Sequence, residues 1–230
     1  MRRREQQHVA LAAEIKDTAR RLMTEHGTAS VSLRMIAREL DMSAPSLYHY
    51  YENYDALITA LLVDAFNALA DALEQTRVDA LSQPPANGML AVAEAYRAWA
   101  LRHPLDFQLI YGNPIPGYVA PREATVPTVV RAFTTLTTQM NAALATVAVL
   151  PEFAHVPLES VAHLEAMRAQ YGYGVSREAL YATNVLWSRI HGIVMLELFN
   201  HIQPAVGNVD AFYHAQIMQL LRDLGMQLDT

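Results

Sequence analysis

Hydrophobic residues recur every three or four positions through most of the chain, the spacing that gives an α-helix one apolar face. This spacing predicts a first helix at residues 7–26, two short helices within residues 31–50 and a long fourth helix at 53–78. No stretch alternates apolar and polar residues as a half-buried β-strand would. We therefore predict an all-α protein.

The same pattern continues through the rest of the chain. Further helices are predicted at residues 87–103, 104–111, 125–150, 158–170, 177–200 and 209–224. Glycine and proline separate several of them, most clearly in the loop at residues 112–117. We expect an N-terminal domain of three helices at residues 1–53 and a helical C-terminal domain at 54–230, with the fourth helix connecting them.

Residues 31–57 are the most informative stretch. Ser32 and Ser43 each stand where a serine side chain can cap a helix by accepting a hydrogen bond from a backbone N–H in its first turn. Pro45 lies in the first turn of the second short helix, where a missing N–H costs little. That helix has several hydroxyl groups and no carboxylate. Such a helix suits insertion into the major groove of DNA.

These residues resemble the helix-turn-helix of the tetracycline-repressor (TetR) family of transcription regulators. Asp41 stands where the family usually has a turn glycine, and Tyr54 where it usually has a lysine that contacts a DNA phosphate. Aspartate tolerates the left-handed conformation better than most residues, so we expect about 1 kcal/mol of strain and an intact turn. The matching positions are Ile15, Ala19, Gly27, Ser32, Ile36, Ala37, Leu40, Ser43, Leu47, Tyr48, Tyr51 and Leu57.

The C-terminal domain carries a second resemblance. Trp187, His191, Gly192 and Glu197 are similar to the C-terminal domain of one TetR branch, named for its Trp, His and Gly. Residues 103–118 also resemble that branch. The resemblance implies a homodimer on palindromic operator DNA, a small effector ligand and transcriptional repression. It also implies a dimer interface on helices 177–200 and 209–224, so we expect aspartate at Ile217 or Leu221 to produce monomers.

The resemblance assigns residues to the DNA. Arg34 is similar to a family arginine that contacts a base, and it could bind a guanine through two hydrogen bonds. The start of the second short helix is expected to face the bases, and the aromatic positions that follow are expected to face phosphates. The base-side residues would be Ala44, Pro45, Ser46 and Tyr48, and the backbone contacts His49, Tyr50 and Tyr54.

Aromatic rings with polar tips recur on the helices of the C-terminal domain. Apolar walls with few polar groups are typical of small-molecule pockets, although an aromatic stripe more often belongs to a packed core. No cluster of Lys or Arg lies among them, so we expect a neutral or weakly polar effector, with the loop at 112–117 as the lip of the cavity. The candidate residues are Tyr96, Trp99, His103, Phe107, Tyr111, Phe133, Met140, Asn184, Trp187, His191 and Met195.

Composition and charge modify this picture only slightly. The chain has 230 residues, of which 52% are apolar, so a sizeable core is expected. It has no cysteine, no signal-peptide pattern and no uninterrupted run of 18 apolar residues, which favours a cytoplasmic protein without a membrane partner. The net charge of −6 lies entirely beyond residue 55. Arg2 to Arg4 form either a basic arm on DNA or a solvated start.

Motifs of catalysis and metal binding do not occur in the sequence. There is no HExxH, GxSxG, P-loop or GxGxxG pattern, and Pro157 interrupts any helix between His155 and His163. We therefore predict no catalytic residue, no enzyme activity, no metal and no cofactor. Two alternatives to a DNA-binding regulator stay open. One is a helical small-molecule-binding protein or enzyme with weakened DNA binding, and the other is a protein-interaction module.

Overall fold

The structure is a computed structural model that describes residues 3–112, 115–148 and 155–228. These residues form eleven α-helices, one 3₁₀ turn at Thr28–Ser30 and no strand, which confirms the predicted all-α class. The helices are α1 (Arg3–His26), α2 (Leu33–Glu39), α3 (Ala44–Tyr48), α4 (Tyr54–Asp79), α5 (Pro85–Arg102), α6 (Pro104–Tyr111), α7 (Arg122–Leu144), α8 (Leu158–Tyr171), α9 (Arg177–Leu198), α10 (Gln203–Val206) and α11 (Val209–Asp223).

The chain folds into two compact units. The head unit contains Met1–Phe66 and Pro104–Pro127, and the body unit contains Asn67–His103 and Thr128–Thr230. The compact unit around the helix-turn-helix is thus larger than residues 1–53, because the start of α4, α6 and the segment after α6 pack with it. The domain boundary after residue 53 stays a prediction.

The head unit is built on an aliphatic core. Ile15 of α1, Ile36 of α2, Leu47 of α3 and Leu57 of α4 are completely buried. Burial of such side chains stabilises the unit by roughly 1.5–3 kcal/mol for each one. α6 and the segment that follows it add half-buried apolar residues to the same core, namely Leu105, Leu109, Ile110, Ile115 and Tyr118.

The short helices of the head begin at the side-chain caps that the sequence predicts. The Ser32 hydroxyl accepts a hydrogen bond from the Met35 N–H at 3.3 Å, and the Ser43 hydroxyl accepts one from the Ser46 N–H at 3.3 Å. Asn53 caps α4 in the same way. Caps matter for α2 and α3, because helices this short are not stable without tertiary packing and satisfied ends.

The body unit is organised around α9, which packs against α5, α8 and α11. Ser176 caps α9, as predicted, by accepting from the Ala179 N–H at 3.1 Å. The buried face of α9 includes Leu186, Ile190 and Val194. Polar groups are buried in the same unit: Thr183 is completely buried, and its hydroxyl donates to the Ala179 carbonyl at 2.7 Å.

Several predicted helix ends are wrong by a few residues. α3 ends at Tyr48 instead of residue 50, α7 begins at Arg122 instead of 125, and α10 is absent from the prediction because Pro204 looks like a break. In α10 this proline occupies the first turn, where a helix tolerates it. α7 ends at Leu144, and residues 149–150 of its predicted extension lie outside the described residues.

α4 is long and apolar enough, by length and composition alone, to cross a membrane, with a mean hydropathy of 1.7 in its most apolar window. Half of that window is buried inside the fold, and the core helix of a soluble protein would meet the same criteria. The helix is therefore weak support for a membrane span.

Candidate DNA-binding and ligand-binding sites

The turn between α2 and α3 is a Schellman motif with an aspartate in place of glycine. The Met42 N–H donates to the Ala37 carbonyl at 2.8 Å, and the Asp41 N–H donates to the Arg38 carbonyl at 3.3 Å. Asp41 itself has φ 51, the left-handed conformation that the sequence predicts at this position. The turn is intact, and it fixes the direction in which α3 leaves α2.

α3 turns almost all of its side chains outward. Leu47 alone is fully buried in this helix, whereas Pro45, Ser46 and Tyr48 are exposed, Tyr48 to 46%. The exposed side chains belong to the predicted base-side set, and the fourth member, Ala44, is half-buried.

The predicted backbone contacts after α3 differ in exposure. His49 is exposed and Tyr50 is half-buried. The Tyr50 ring stacks on the ring of His8 from α1, with centroids 4.5 Å apart. His8 was not predicted near this site, because no local pattern connects residues 42 positions apart.

Arg34 lies exposed in the first turn of α2. Among the described residues it has no ion pair or hydrogen-bond partner, and the same holds for Arg38 one helical turn later. Arg21 differs, because Glu39 at 2.6 Å and Glu25 at 3.3 Å compensate its charge. Arg34 is therefore free to bind an acceptor such as a guanine edge. The predicted basic arm at Arg2 to Arg4 lies outside the side chains that the structure describes.

Tyr54 has a partner inside the head unit. Its hydroxyl donates a hydrogen bond to the Thr28 carbonyl at 2.8 Å, and burial of the ring raises the pKa of Tyr54 to about 12. A phenol has one proton to donate. A hydrogen bond from Tyr54 to a DNA phosphate would therefore require the Thr28 bond to break, and the predicted contact stays a prediction.

One ion pair attaches α6 to α1 within the head unit, and a second connects α1 to α4. Arg20 of α1 pairs with Asp106 of α6 at 2.9 Å, and both side chains are largely buried. Lys16 pairs with Asp64 of α4. Within the head unit, α6 is thus held by charge as well as by its apolar side chains.

Three of the predicted ligand-binding residues meet in the body unit. The Tyr96 hydroxyl lies 2.9 Å from Nδ1 of His191, and the rings of Trp187 and His191 lie 5.2 Å apart on α9. Burial lowers the pKa of His191, so the imidazole is neutral at physiological pH. These contacts bring a neutral imidazole, a phenol and an indole together in the body unit, and their role as a ligand site stays a prediction.

Other predicted ligand-binding residues of the body unit have separate neighbours. The Trp99 and His103 rings lie 5.3 Å apart, and Met140 is completely buried. Phe133 contacts Tyr173 edge to face at 6.1 Å. Asn184 donates to the Leu180 carbonyl of its own helix, and Met195 is half-buried on α9.

Phe107 and Tyr111 belong to the head unit instead. Their ring centroids lie 5.2 Å apart, and Tyr111 also contacts Phe66 of α4 at 5.8 Å. Of the loop predicted as the lip of the cavity, residues 113 and 114 lie outside the described residues, and Ile115 packs against the head core. Whether the two sets of rings line one ligand site stays a prediction.

The buried cation of the body unit is fully compensated. Arg97 of α5 pairs with Glu197 of α9 at 2.6 Å and with Asp210 of α11 at 2.7 Å. The hydrogen bond to Glu197 raises the pKa of Arg97. Its guanidinium also lies over the ring of Tyr213, 5.3 Å from the centroid. Sequence reasoning missed this arrangement, in which two carboxylates already balance the charge of Arg97.

Comparisons with known proteins assign both the N-terminal and the C-terminal half of the chain to the TetR family, and the branch named for Trp, His and Gly stays a prediction. The family described as "Bacterial regulatory proteins, tetR family" matches residues 15–61. The family described as "Tetracyclin repressor-like, C-terminal domain" matches residues 89–220, more than half of the chain. The protein belongs to the TetR family. It is a DNA-binding transcription regulator with a helix-turn-helix.

Individual proteins that are similar to this chain support the same family and fold. The HTH-type transcriptional regulator Rv1816 of Mycobacterium tuberculosis is 33% identical over 191 residues, 82% of this chain and 81% of its own. The crystal structure of SCO4313 superposes with a TM-score of 0.80 at 29% identity, covering 95% of this chain and 98% of that one. A protein of unknown function from Rhodococcus sp. RHA1 has a TM-score of 0.70 at 23% identity, covering 94% and 95%, and supports the fold alone.

The structure corrects one expectation about assembly of this TetR-family regulator. Ile217 and Leu221 of α11 are completely buried within a single chain, so neither belongs to an outer surface. Aspartate at either position would disturb the body core, because a buried unpaired charge is costly. Exposed apolar residues occur instead at Leu196 and Phe199, 45% and 47% exposed at the end of α9.

Two clefts of the body unit contain none of the predicted ligand-binding residues. One of about 490 Å³ is lined by residues that include His155 and Arg177, and one of about 500 Å³ by residues that include Pro84 and Gln227. No group of three His, Asp or Glu side chains that could hold a metal ion occurs in the described ranges.

Proposed function

We propose that this TetR-family regulator is a cytoplasmic, ligand-responsive repressor that binds palindromic operator DNA as a homodimer. The observation that carries the proposal is the surface of the head unit. α3 turns Pro45, Ser46 and Tyr48 outward, and α2 presents Arg34 without a partner among the described residues. Serine caps and the Schellman turn between the two helices fix their positions. The exposed groups are therefore preorganised for a rigid partner such as duplex DNA.

Each exposed group has a proposed task on the DNA. Arg34 would bind a guanine through its two donors, which is a specific contact in the major groove. Ala44, Pro45, Ser46 and Tyr48 would meet base edges, and His49 and Tyr50 would meet phosphates. Phosphate contacts supply salt-dependent affinity, whereas base contacts supply specificity.

Homodimer formation is proposed on the outer face of α9. A side chain built at Gly192 would meet no atom within 4 Å, so the helix backbone is open there to a close neighbour. Leu196 lies one turn further along the helix and Phe199 follows it, both exposed. A two-fold dimer would place two recognition helices about 34–36 Å apart, or a multiple of that, along the duplex.

A neutral or weakly polar effector is proposed for the aromatic residues of the body. Tyr96, Trp187 and His191 supply rings with uncharged polar tips, and Arg97 is already neutralised. Trp187, His191 and Gly192 further suggest the branch named for Trp, His and Gly. Met195→Trp tests the pocket: a folded variant that binds DNA but ignores the effector supports it, and an unchanged response places the effector elsewhere.

A gel shift on the DNA upstream of the protein's own gene tests the DNA-binding proposal. We expect a discrete complex that survives excess unrelated duplex and that Arg34→Ala weakens. Binding that unrelated duplex removes completely would contradict a specific operator. That outcome would favour the alternative of a helical small-molecule-binding protein whose head has lost specific recognition.

A further inference from the structure

The 3₁₀ turn between α1 and α2 has little packing of its own, and the chain is next anchored at the buried Val31 that follows it. Gly27 at φ 82 ends α1, and the 3₁₀ turn at Thr28–Ser30 follows. This turn buries none of its residues and has no side-chain cap. Arg34, the proposed base contact, lies only four residues beyond the turn, so the position of the turn influences the direction in which α2 begins.

Tyr54 ties this turn to the rigid part of the head unit. Its hydroxyl reaches across 26 residues of sequence to the Thr28 carbonyl, at 2.8 Å. Its ring packs against the head core. Tyr54 is also the first residue of α4, which is anchored nearby by the completely buried Leu57 and Ile58. The turn is thereby fastened to a helix that cannot easily move.

We propose that Tyr54 is a positioning residue for DNA recognition: by holding the turn at Thr28–Ser30 it fixes the start of α2 and so presents Arg34 to its base. The inference rests on the proposed base contact of Arg34. Holding a binding group in its bound position before the partner arrives raises affinity, because less ordering is left to be done on binding.

This role differs in kind from that of the lysine which the family usually has here. A lysine on a phosphate contributes to non-specific affinity and to its salt dependence. The phenol of Tyr54 is neutral and its proton is used internally, so its loss should affect the specific complex alone. The phenol therefore acts on specificity through Arg34.

The test compares Tyr54→Phe with Tyr118→Phe. The control also loses one internal hydrogen bond of the head unit, because the Tyr118 hydroxyl lies 2.9 Å from the Thr59 hydroxyl. The probe is a duplex that the wild-type protein selects from a random-sequence library, with a scrambled duplex of the same composition beside it. Binding is followed by fluorescence anisotropy over a series of salt concentrations.

For Tyr54→Phe we expect about tenfold weaker binding to the selected duplex, unchanged binding to the scrambled duplex and an unchanged salt slope. Tyr118→Phe should bind both duplexes like the wild type. Equal weakening on both duplexes would show a direct backbone contact of Tyr54 and overturn the inference. Equal weakening by the two Tyr→Phe variants would overturn it as well, because a general loss of stability would then suffice.

A double-mutant cycle separates this inference from the proposed function. If Tyr54 acts through Arg34, Tyr54→Phe should weaken binding by less than about twofold in an Arg34→Ala background, since coupled residues are not additive. A full tenfold effect in that background overturns the inference while the Arg34 contact stands. An Arg34→Ala protein that binds like the wild type removes the base contact itself.

Hydrogen exchange supplies a readout that does not depend on DNA. The amides of residues 28–35 should exchange faster in Tyr54→Phe than in the wild type, and those of the α4 interior should not change. Tyr118→Phe should leave residues 28–35 unchanged. Unaltered exchange in Tyr54→Phe would mean that the turn is held without the phenol, which contradicts the inference.

Discussion

The head and body units differ in where they place the polar side chains that we propose for contact with a partner. The head unit has an aliphatic core and turns Arg34, Ser46, Tyr48 and His49 outward. The body unit draws polar groups inward. Tyr96 meets His191 at 2.9 Å, and the buried Tyr213 hydroxyl donates to the Ala93 carbonyl at 2.6 Å.

The difference fits the two kinds of partner that we propose for this protein. A rigid, charged duplex is recognised by groups that stand on the surface and are fixed by the fold beneath them. A small molecule is recognised inside a protein, where each polar group must have a partner when no ligand is present. The exposed polar side chains of the head unit therefore suit binding to DNA. The paired internal polar groups of the body unit suit the effector-binding role that we propose for it.

The largest expected effect is on the stability of the body unit. Arg97→Met should lower the free energy of unfolding by about 3–5 kcal/mol, because it leaves the carboxylate of Glu197 buried without its cation. Urea denaturation followed by circular dichroism measures this. Asp210→Asn is the matched control: Asp210 is 84% exposed, so its pair with Arg97 is worth less than about 1 kcal/mol. Equal losses in the two variants would mean that Glu197 does not depend on Arg97.

The next effect concerns assembly. Gly192→Arg should raise the dissociation constant of the proposed dimer about a hundredfold, or about 2.8 kcal/mol, because it places bulk and like charges at the proposed two-fold contact. The protomer should stay folded, since no atom lies within 4 Å of the added Cβ. Gly192→Ala should keep the dimer and stabilise the helix by up to about 1 kcal/mol. Light scattering that shows Gly192→Arg still dimeric would move the interface away from α9.

A smaller effect is expected at the DNA-facing surface of the head. Arg34→Ala should weaken operator binding by about 1–3 kcal/mol and relax specificity at one position of each half-site. Its free energy of unfolding should not change, because Arg34 is exposed and has no ion pair or hydrogen bond with another described side chain. Anisotropy titrations with singly substituted operators measure the first effect and thermal melting the second. A change in melting without a change in specificity would assign Arg34 a structural role.

The smallest effect is in the turn between α2 and α3. Asp41→Gly should raise the free energy of unfolding by up to about 1 kcal/mol, because glycine adopts φ 51 without steric cost. Asp41→Ala keeps a Cβ at that φ and should lower the free energy of unfolding. In the body, Asn200 has φ 57 after α9, and Asn200→Gly should change little, since asparagine tolerates this conformation well. Thermal melts of the three variants decide whether turn strain is confined to the head.

Local chemistry explains how much of this could be predicted. Ser32, Ser43 and Ser176 cap helices through groups three residues away, so the sequence alone is enough to find them. The partners of Tyr54 and Arg97 lie 26 and 100 residues away, and no local pattern indicates them. Ile217 shows a further limit, because an apolar helix face looks the same whether it is buried in one chain or between two.

Hydroxyl-radical footprinting on the fragment that the gel shift retains tests the central claim most directly, namely that two copies of the head read one palindrome. We predict two protected half-sites whose centres lie about 10 base pairs, or a multiple of that, apart. Arg34→Ala should reduce protection at both half-sites equally, and Gly192→Arg should lose both together. Uniform protection along the fragment, or a single protected site that survives Gly192→Arg, would contradict the account.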